Sequence, residues 1–301
     1  MKVFVTGGTG AIGRFVVPEL VRAGHDVAAL ARSDEKAAQL AEQGARAVRA
    51  SLFDEAALKE AFTGHDAVCN LATAIPAVTK SASVKNWADN DRIRREGSTT
   101  VVNAALAAGV GRVVQESITF MYPDRGDQWI DESVPLEASG LGESITIAEA
   151  NAARFTKEGS TGVVLRFALF YGTGSGHTEQ FLSAARRHIG PVAGPGGAYQ
   201  SSIHLEDAAT AVVAALRVPA GVYNATDDEP LTKKAYARAL GAALGKRPWL
   251  HFPGRLVRLG GHKSDFMSRS QRVSNASLEA ASEWNPKYPS AREGWEAIVN
   301  A

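Results

Sequence analysis

The opening stretch VFVTGGTGAIGRFVVPEL sets four glycines, Gly7, Gly8, Gly10 and Gly13, between an apolar run and an apolar helical repeat. Val3, Phe4 and Val5 read as a buried strand, whereas Ile12, Phe15, Val16 and Leu20 recur at helical spacing, so the glycines stand where a strand turns into a helix. Gly7, Gly10 and Gly13 have the spacing for three jobs that exclude a side chain: a tight turn, close approach of backbone to a pyrophosphate, and close packing of the helix on the strand. The N–H groups at the head of such a helix are then available to phosphate oxygens. The turn predicts a dinucleotide site built from Gly7, Thr9, Gly10, Ala11, Ile12 and Gly13.

The rest of the chain agrees with that start. KVFVTG, HDVAALAR, ARAVRASL, DAVCNLAT, GRVVQES and TGVVLRF are short β-rich runs, mostly apolar on both faces, as strands of a covered parallel sheet should be. Between them lie helical patterns that stop at Gly24, Gly44 and Gly109. This alternation predicts an α/β fold of Rossmann type, a doubly wound parallel sheet. Beyond Gly172 the pattern loosens into the GPVAGPGGAYQ loop, the helices LEDAATAVVAAL and KKAYARALGAALG, and a tail with Trp and Pro. We read residues 1–172 as the dinucleotide-binding domain and 173–301 as a smaller substrate lobe that does not fold independently.

Charge and cysteine content narrow the partners. A formal net charge of +1 with interspersed signs supplies no basic tract for nucleic acid and no polybasic anchor for lipid, which leaves a small-molecule substrate. The one cysteine, Cys69, lies in the apolar run AVCNLA and reads as a buried, inert thiol; no metal-binding cluster is visible. The first structural signal begins at Lys2 and no apolar run has the length of a membrane span, so a cytoplasmic protein is expected.

The second strand indicates which dinucleotide. NAD sites place a carboxylate near the end of this strand to accept the ribose hydroxyls, but HDVAALARS ends on Arg32, Ser33 and, one turn later, Lys36. A guanidinium beside a hydroxyl suits a 2′-phosphate, and the expected cofactor is NADP(H).

These motifs together resemble the extended and atypical short-chain dehydrogenase/reductase superfamily, including its NAD-dependent epimerase/dehydratase group. TGGTGAIG is similar to the family's TGxxGxxG, and GVGRVVQESITFMYPD to its fifth strand with a VYG-like turn; VVLRFALFYG is similar to LRxxxxYG, and SSIHLEDAATAVVAAL to the later V-D-D-x-A helix start. The segment YNATDDEPLT and the closing NPKYPSAREGW also match, so the resemblance covers nearly the whole chain. It implies that Leu71, Ala72 and Thr73, in NLAT, line the adenine-ribose side of the cofactor. It also allows a homodimer, for which no sequence pattern speaks.

The family's usual catalytic groups are absent. The Ser or Thr expected four residues before the VYG-like tyrosine is Ile118, and the Tyr-x-x-x-Lys pair falls on Leu141 and Ile145. No phenol stands there to pass a proton to a carbonyl oxygen, and no lysine to lower its pKa. The remaining candidates are Ser117 and Thr119, which can bind a substrate or cap local backbone; Tyr122, which can donate a proton or pack; Glu143, an acid or a helix-dipole partner; and His177, an acid–base group on a glycine-rich lid or a surface residue. His204 reads as a strand-to-helix junction residue. The leading expectation is an NADPH-dependent reductase of a small, apolar ketone, enone or iminium. The alternatives are a nucleotide-sugar epimerase or dehydratase, and a non-catalytic NADP(H) sensor similar to the NmrA-like branch.

Overall fold

The structure, a computed structural model, describes residues 1–76, 83–137, 142–190, 194–246 and 268–301. Its strands are β1 (Lys2–Thr6), β2 (Asp26–Ala31), β3 (Arg46–Arg49), β4 (Ala67–Asn70), β5 (Arg112–Ile118), β6 (Trp129–Ile130), β7 (Thr161–Phe167), β8 (Leu169–Tyr171), β9 (Tyr199–Gln200), β10 (Ser202–His204), β11 (Gly221–Ala225), β12 (Leu231–Thr232) and β13 (Arg272–Val273). The helices are α1 (Gly13–Arg22), α2 (Asp34–Glu42), α3 (Glu55–Phe62), α4 (Ala88–Arg92), α5 (Ser98–Ala107), α6 (Glu143–Lys157), α7 (Gly176–Arg186), α8 (Leu205–Ala215), α9 (Lys233–Ala243), α10 (Ala276–Ala281) and α11 (Ala291–Asn300).

Seven strands form one sheet in the order β11-β7-β5-β4-β1-β2-β3, every neighbouring pair parallel. The chain starts at β1, runs outward to β3 and returns to β4 on the other side of β1. Its direction of growth therefore reverses between β1 and β4, and in open α/β sheets ligands bind beyond the carboxyl ends of the strands at that point. Helices cover both faces. Val3, Val5, Val16, Val17 and Leu20 pack with Ala208, Ala211 and Val212 of α8 on one side. Phe4, Leu58, Phe62, Val68, Val101 and Phe155 pack on the other. The six strands and the helix stops at Gly24, Gly44 and Gly109 expected from sequence are all present, the stops as left-handed residues.

Residue 172 does not separate sheet from lobe. The edge strand β11 pairs with β7, and α8 packs into the first core, although both come from the second part of the chain. What lies outside the sheet includes a third core of Tyr171, Phe181, Leu182, Leu231, Tyr236, Leu240 and Trp295, gathered from β8, α7, β12, α9 and α11. One expectation is corrected here: the GTGSGHTEQF segment is a loop only as far as Ser175, and His177 belongs to the first turn of α7. Thr178, Phe181 and Leu182 bury one side of that helix, a pattern the preceding glycines obscure. Among the described residues no helix is long and apolar enough to cross a membrane.

Candidate active site

The glycine turn is built for contact with backbone on two sides. At Gly7 (φ +72°) an added Cβ would lie 2.6 Å from the Leu71 carbonyl oxygen, and at Gly13 one would lie 2.0 Å from the Gly7 oxygen. A side chain at either position would therefore push β1 from the end of β4, or α1 from the turn. Gly10 is looser: its N–H donates to the Gly7 oxygen at 2.9 Å, and a Cβ there would meet the same oxygen only at 3.1 Å. Thr9 is half-buried, Gly10 and Ala11 are exposed, and Ile12 is buried under the helix. No side chain caps α1 at Ile12: the Arg14 N–H donates to the Gly10 oxygen at 3.3 Å and the Phe15 N–H to the Ile12 oxygen at 2.9 Å, so the head of the helix is closed by backbone alone. Such a cradle, with glycine at positions 7, 8, 10 and 13 and no side-chain cap on the helix, fits the diphosphate of a dinucleotide.

The turn also meets Leu71, Ala72 and Thr73. Leu71 donates its N–H to Thr6 at 3.2 Å, which keeps the end of β4 beside the glycines; Ala72 is half-buried and Thr73 exposed. On the opposite side, Arg32 is exposed directly after β2 and forms no ion pair among the described residues. Ser33 caps α2, its Oγ accepting the Lys36 N–H at 3.2 Å. Cys69 is buried, and burial pushes its thiol up to about 12.

At the carboxyl end of β5, Ser117 and Thr119 are both buried. Ser117 Oγ donates to Glu149 Oε1 at 2.5 Å. The Glu149 carboxylate, on α6, is gripped by Arg166 of β7 through Nε (2.9 Å) and Nη2 (2.7 Å). The third nitrogen of that guanidinium donates to Tyr122 Oη at 2.8 Å, and the tyrosine donates on to Asn224 Oδ1 at 2.8 Å. Burial alone works against the Arg166 cation, but Glu149 and Tyr122 outweigh it and raise its pKa. Burial likewise raises the Tyr122 phenol, with Arg166 and Asn224 opposing. A second buried pair lies alongside: Arg94 Nη2 meets Glu116 at 2.8 and 3.0 Å. Burial raises the Glu116 carboxyl; Arg94 opposes this and the Glu149 charge adds to it. Arg94 sits in a π-helical turn, Ile93–Gly97, a local irregularity often found at functional sites. Thr6, Asn70 and Gln115 extend the polar layer under β1 and β4 through bonds of 2.6 and 2.8 Å.

The candidates named from sequence are not gathered in one place. Ser117 and Tyr122 share the Glu149–Arg166 network, with Thr119 between them in a short 3-10 turn. Glu143 stands largely exposed at the start of α6 and pairs with Arg95 at 3.0 Å. The His177 ring lies 4.2 Å from that of Phe181, and burial lowers its pKa. His204 is the N-cap of α8, Nδ1 accepting from the Glu206 N–H at 3.3 Å, the junction role its position implies. Ile145 is only 2% exposed and Ile118 is half-buried; Leu141 lies outside the described residues. Sequence reasoning did not single out Glu149, Arg166, Arg94 or Glu116. Arg166, one cation in an otherwise apolar strand, was the available signal, and Glu149 stands one helical turn after Ile145.

Comparison with known proteins fits this geometry. Residues 3–226 match the NAD dependent epimerase/dehydratase family. The chain is 32% identical over 98% of its length to a 3-diazoavenalumate denitrifying reductase of a Streptomyces species, of which it covers 99%. It is 28% identical over 90% of its length to a 4-hydroxy-2-methyl-3-oxo-4-farnesyl-3,4-dihydroquinoline-1-oxide ketoreductase of Stigmatella aurantiaca, of which it covers 81%. Among solved structures it is similar to human epimerase family protein SDR39U1 (isoform 2) with NADPH, at a TM-score of 0.83, 23% identity, and coverage of 100% of this chain and 99% of that one.

Proposed function

Because the chain belongs to the NAD-dependent epimerase/dehydratase family, we propose that it is an NADPH-dependent reductase of small, apolar organic molecules whose electrophilic centre accepts hydride without a proton from the enzyme. The observation that carries this reading is the burial of Ile145, where the resemblance puts the family's lysine, together with a half-buried Ile118 where it puts the hydroxyl. Two hydrocarbon side chains where a proton relay is expected cannot themselves protonate an alkoxide.

In this reading the glycine turn and the head of α1 hold the diphosphate, and Arg32 with Ser33 holds the 2′-phosphate. NADPH, when bound, supplies the hydride. The residues around it orient the acceptor and exclude water. Tyr122 and Ser117, with their protons given to Asn224 and Glu149, serve the fold, and Thr119 is left as a hydroxyl at the strand end. A conjugated iminium ion is a suitable acceptor, since hydride addition yields a neutral amine. The relative named for denitrifying a diazo compound suggests another. An arenediazonium ion that gains hydride gives the arene and dinitrogen, and no proton enters the balance. Sugar-nucleotide epimerisation, by contrast, moves protons on and off oxygen, which neither Ile118 nor Ile145 can do.

The test is NADPH oxidation by the purified protein with three probes: N-methyl-3,4-dihydroisoquinolinium, a hydroxyarenediazonium salt and cyclohexanone, each corrected for reaction without protein. The expected result is turnover of one or both cations and none of the ketone. Preferential reduction of the ketone would overturn it. Tight NADP⁺ binding with no turnover of any probe would turn attention to a sensor instead.

A further inference from the structure

Arg14 is the residue directly after the last glycine of the turn, in the first turn of α1, where the helix dipole disfavours a cation. Its guanidinium reaches across 160 residues of sequence: Nη1 donates to the Gly174 oxygen at 2.6 Å and Nη2 to the Thr173 oxygen at 2.8 Å. Burial lowers its pKa, and Nε has no partner within the described protein. Gly174 is shaped for the contact. It is left-handed (φ +68°), and a Cβ there would lie 2.9 Å from Arg14 Nη1. The loop so held runs from β8 to α7. It carries its own hydrogen bonds, Gly172 N–H to Thr178 Oγ1 at 3.0 Å and Glu179 N–H to the Ser175 oxygen at 3.0 Å.

We infer that Arg14 is a positioning residue: its two-pronged grip fixes the Gly172–Gly176 loop beside the diphosphate cradle, so that a dinucleotide held on α1 stiffens the start of α7 and the position of His177. The inference rests on the cofactor reading above only for its last step. A guanidinium is suited to the role because its fork donates to two carbonyls at once, which an ammonium does not do in a fixed geometry. Any dinucleotide phosphate near the head of α1 adds negative charge beside the same cation. That favours the ordered position of the side chain over its release to solvent.

Hydrogen exchange followed by mass spectrometry over residues 172–181 tests the proposal, with and without NADPH, on the wild-type chain, Arg14→Met, Arg14→Lys and Gly174→Ala. Methionine keeps the length and apolar stem of the side chain, and lysine keeps the charge. Arg14→Met is expected to speed exchange of the Ser175–Glu179 amides by about tenfold or more without nucleotide. NADPH is expected to slow these amides in the wild type but not in Arg14→Met or Gly174→Ala, with Arg14→Lys in between. Its affinity, read by tryptophan quenching, is expected to fall in Arg14→Met by no more than the factor by which NADPH slows these amides in the wild type. Unchanged exchange in Arg14→Met overturns the grip. A large loss of NADPH affinity with the loop still protected overturns it too, and makes Arg14 a phosphate ligand. If the wild type binds no NADPH, the cofactor reading fails and the stiffening with it; the exchange without nucleotide still decides the grip.

Discussion

A methyl group distinguishes the glycines of the turn. On Gly13 it would lie 2.0 Å from a backbone oxygen, which no side-chain rotation relieves, whereas on Gly10 the same oxygen is 3.1 Å away. Gly13→Ala is therefore expected to cost about 3 kcal/mol of stability or more and to abolish NADPH binding. Gly10→Ala, whose Cβ meets that oxygen at 3.1 Å, is expected to lower the thermal midpoint much less than Gly13→Ala does and to weaken NADPH binding, because it crowds the phosphate side of the turn. Thermal unfolding and tryptophan quenching on the two variants read the contrast, and equal destabilisation would refute it. Arg32 makes a cofactor prediction at the same scale. Losing a charge-assisted contact of about 1.5–3 kcal/mol should weaken NADPH binding by about 10- to 100-fold and leave NADH untouched. Parallel weakening of both nucleotides would remove Arg32 from the 2′-phosphate site.

At the level of elements, the join between β5, α6 and β7 depends on a few polar groups. The Arg166 and Glu149 side chains are 9% and 12% exposed, and each half of the pair is held by further bonds to Tyr122 and Ser117. Removing one buried partner leaves the other charge uncompensated, so Glu149→Ala should destabilise the protein by about 3–5 kcal/mol. Tyr122→Phe leaves a guanidinium N–H and the Asn224 oxygen unpaired, at a cost of about 1–3 kcal/mol. NADPH oxidation by Tyr122→Phe, measured well below its unfolding temperature, should remain within a few-fold of wild type. A collapse in turnover with stability intact would make Tyr122 the proton donor. This network also shows where sequence reading ends. Strands β1 to β5 and β7 announce themselves because both faces of a covered parallel strand are apolar, and the glycine turn does so because its steric demands leave one residue type. Which carboxylate meets which arginine is decided by register and crossing geometry, not by local pattern. Glu149 and Arg166 are 17 residues apart in sequence and Arg94 and Glu116 are 22 apart, with no periodicity linking either pair. Strand β11 escaped for a related reason: the edge position it takes beside β7 belongs to the topology, while GVYNA reads locally as little more than a polar-tipped apolar run.

Over the whole molecule, the C-terminal segment is fastened to the sheet layer at the start of α8. Asp207 is buried and accepts the N–H groups of Lys287 (2.8 Å) and Tyr288 (3.1 Å), and the Tyr288 ring lies 4.3 Å from that of His204. The two N–H groups favour the carboxylate, but burial is the larger influence and raises the Asp207 carboxyl to about 6. A carboxyl raised in the folded state contributes stability that is fully present below its unfolded pKa, near 3.8, and is lost as pH rises through about 6. His204 acts in the opposite sense over nearly the same range, because burial lowers it to about 4 and its contribution is lost as the pH falls. The wild-type profile therefore mixes the two, and a difference measurement separates them. Subtracting the urea-unfolding stability of Asp207→Asn from that of the wild type, at steps between pH 4 and pH 7, should give a difference that falls by up to about 3 kcal/mol as the pH rises. Asparagine cannot titrate, and its altered hydrogen bonding adds only a constant offset. A flat difference would mean that the Lys287 and Tyr288 N–H groups compensate fully for burial, with the carboxylate as well accommodated as in water. A fall would show that the junction between the sheet layer and the closing segment holds a charge at neutral pH against the preference of its surroundings.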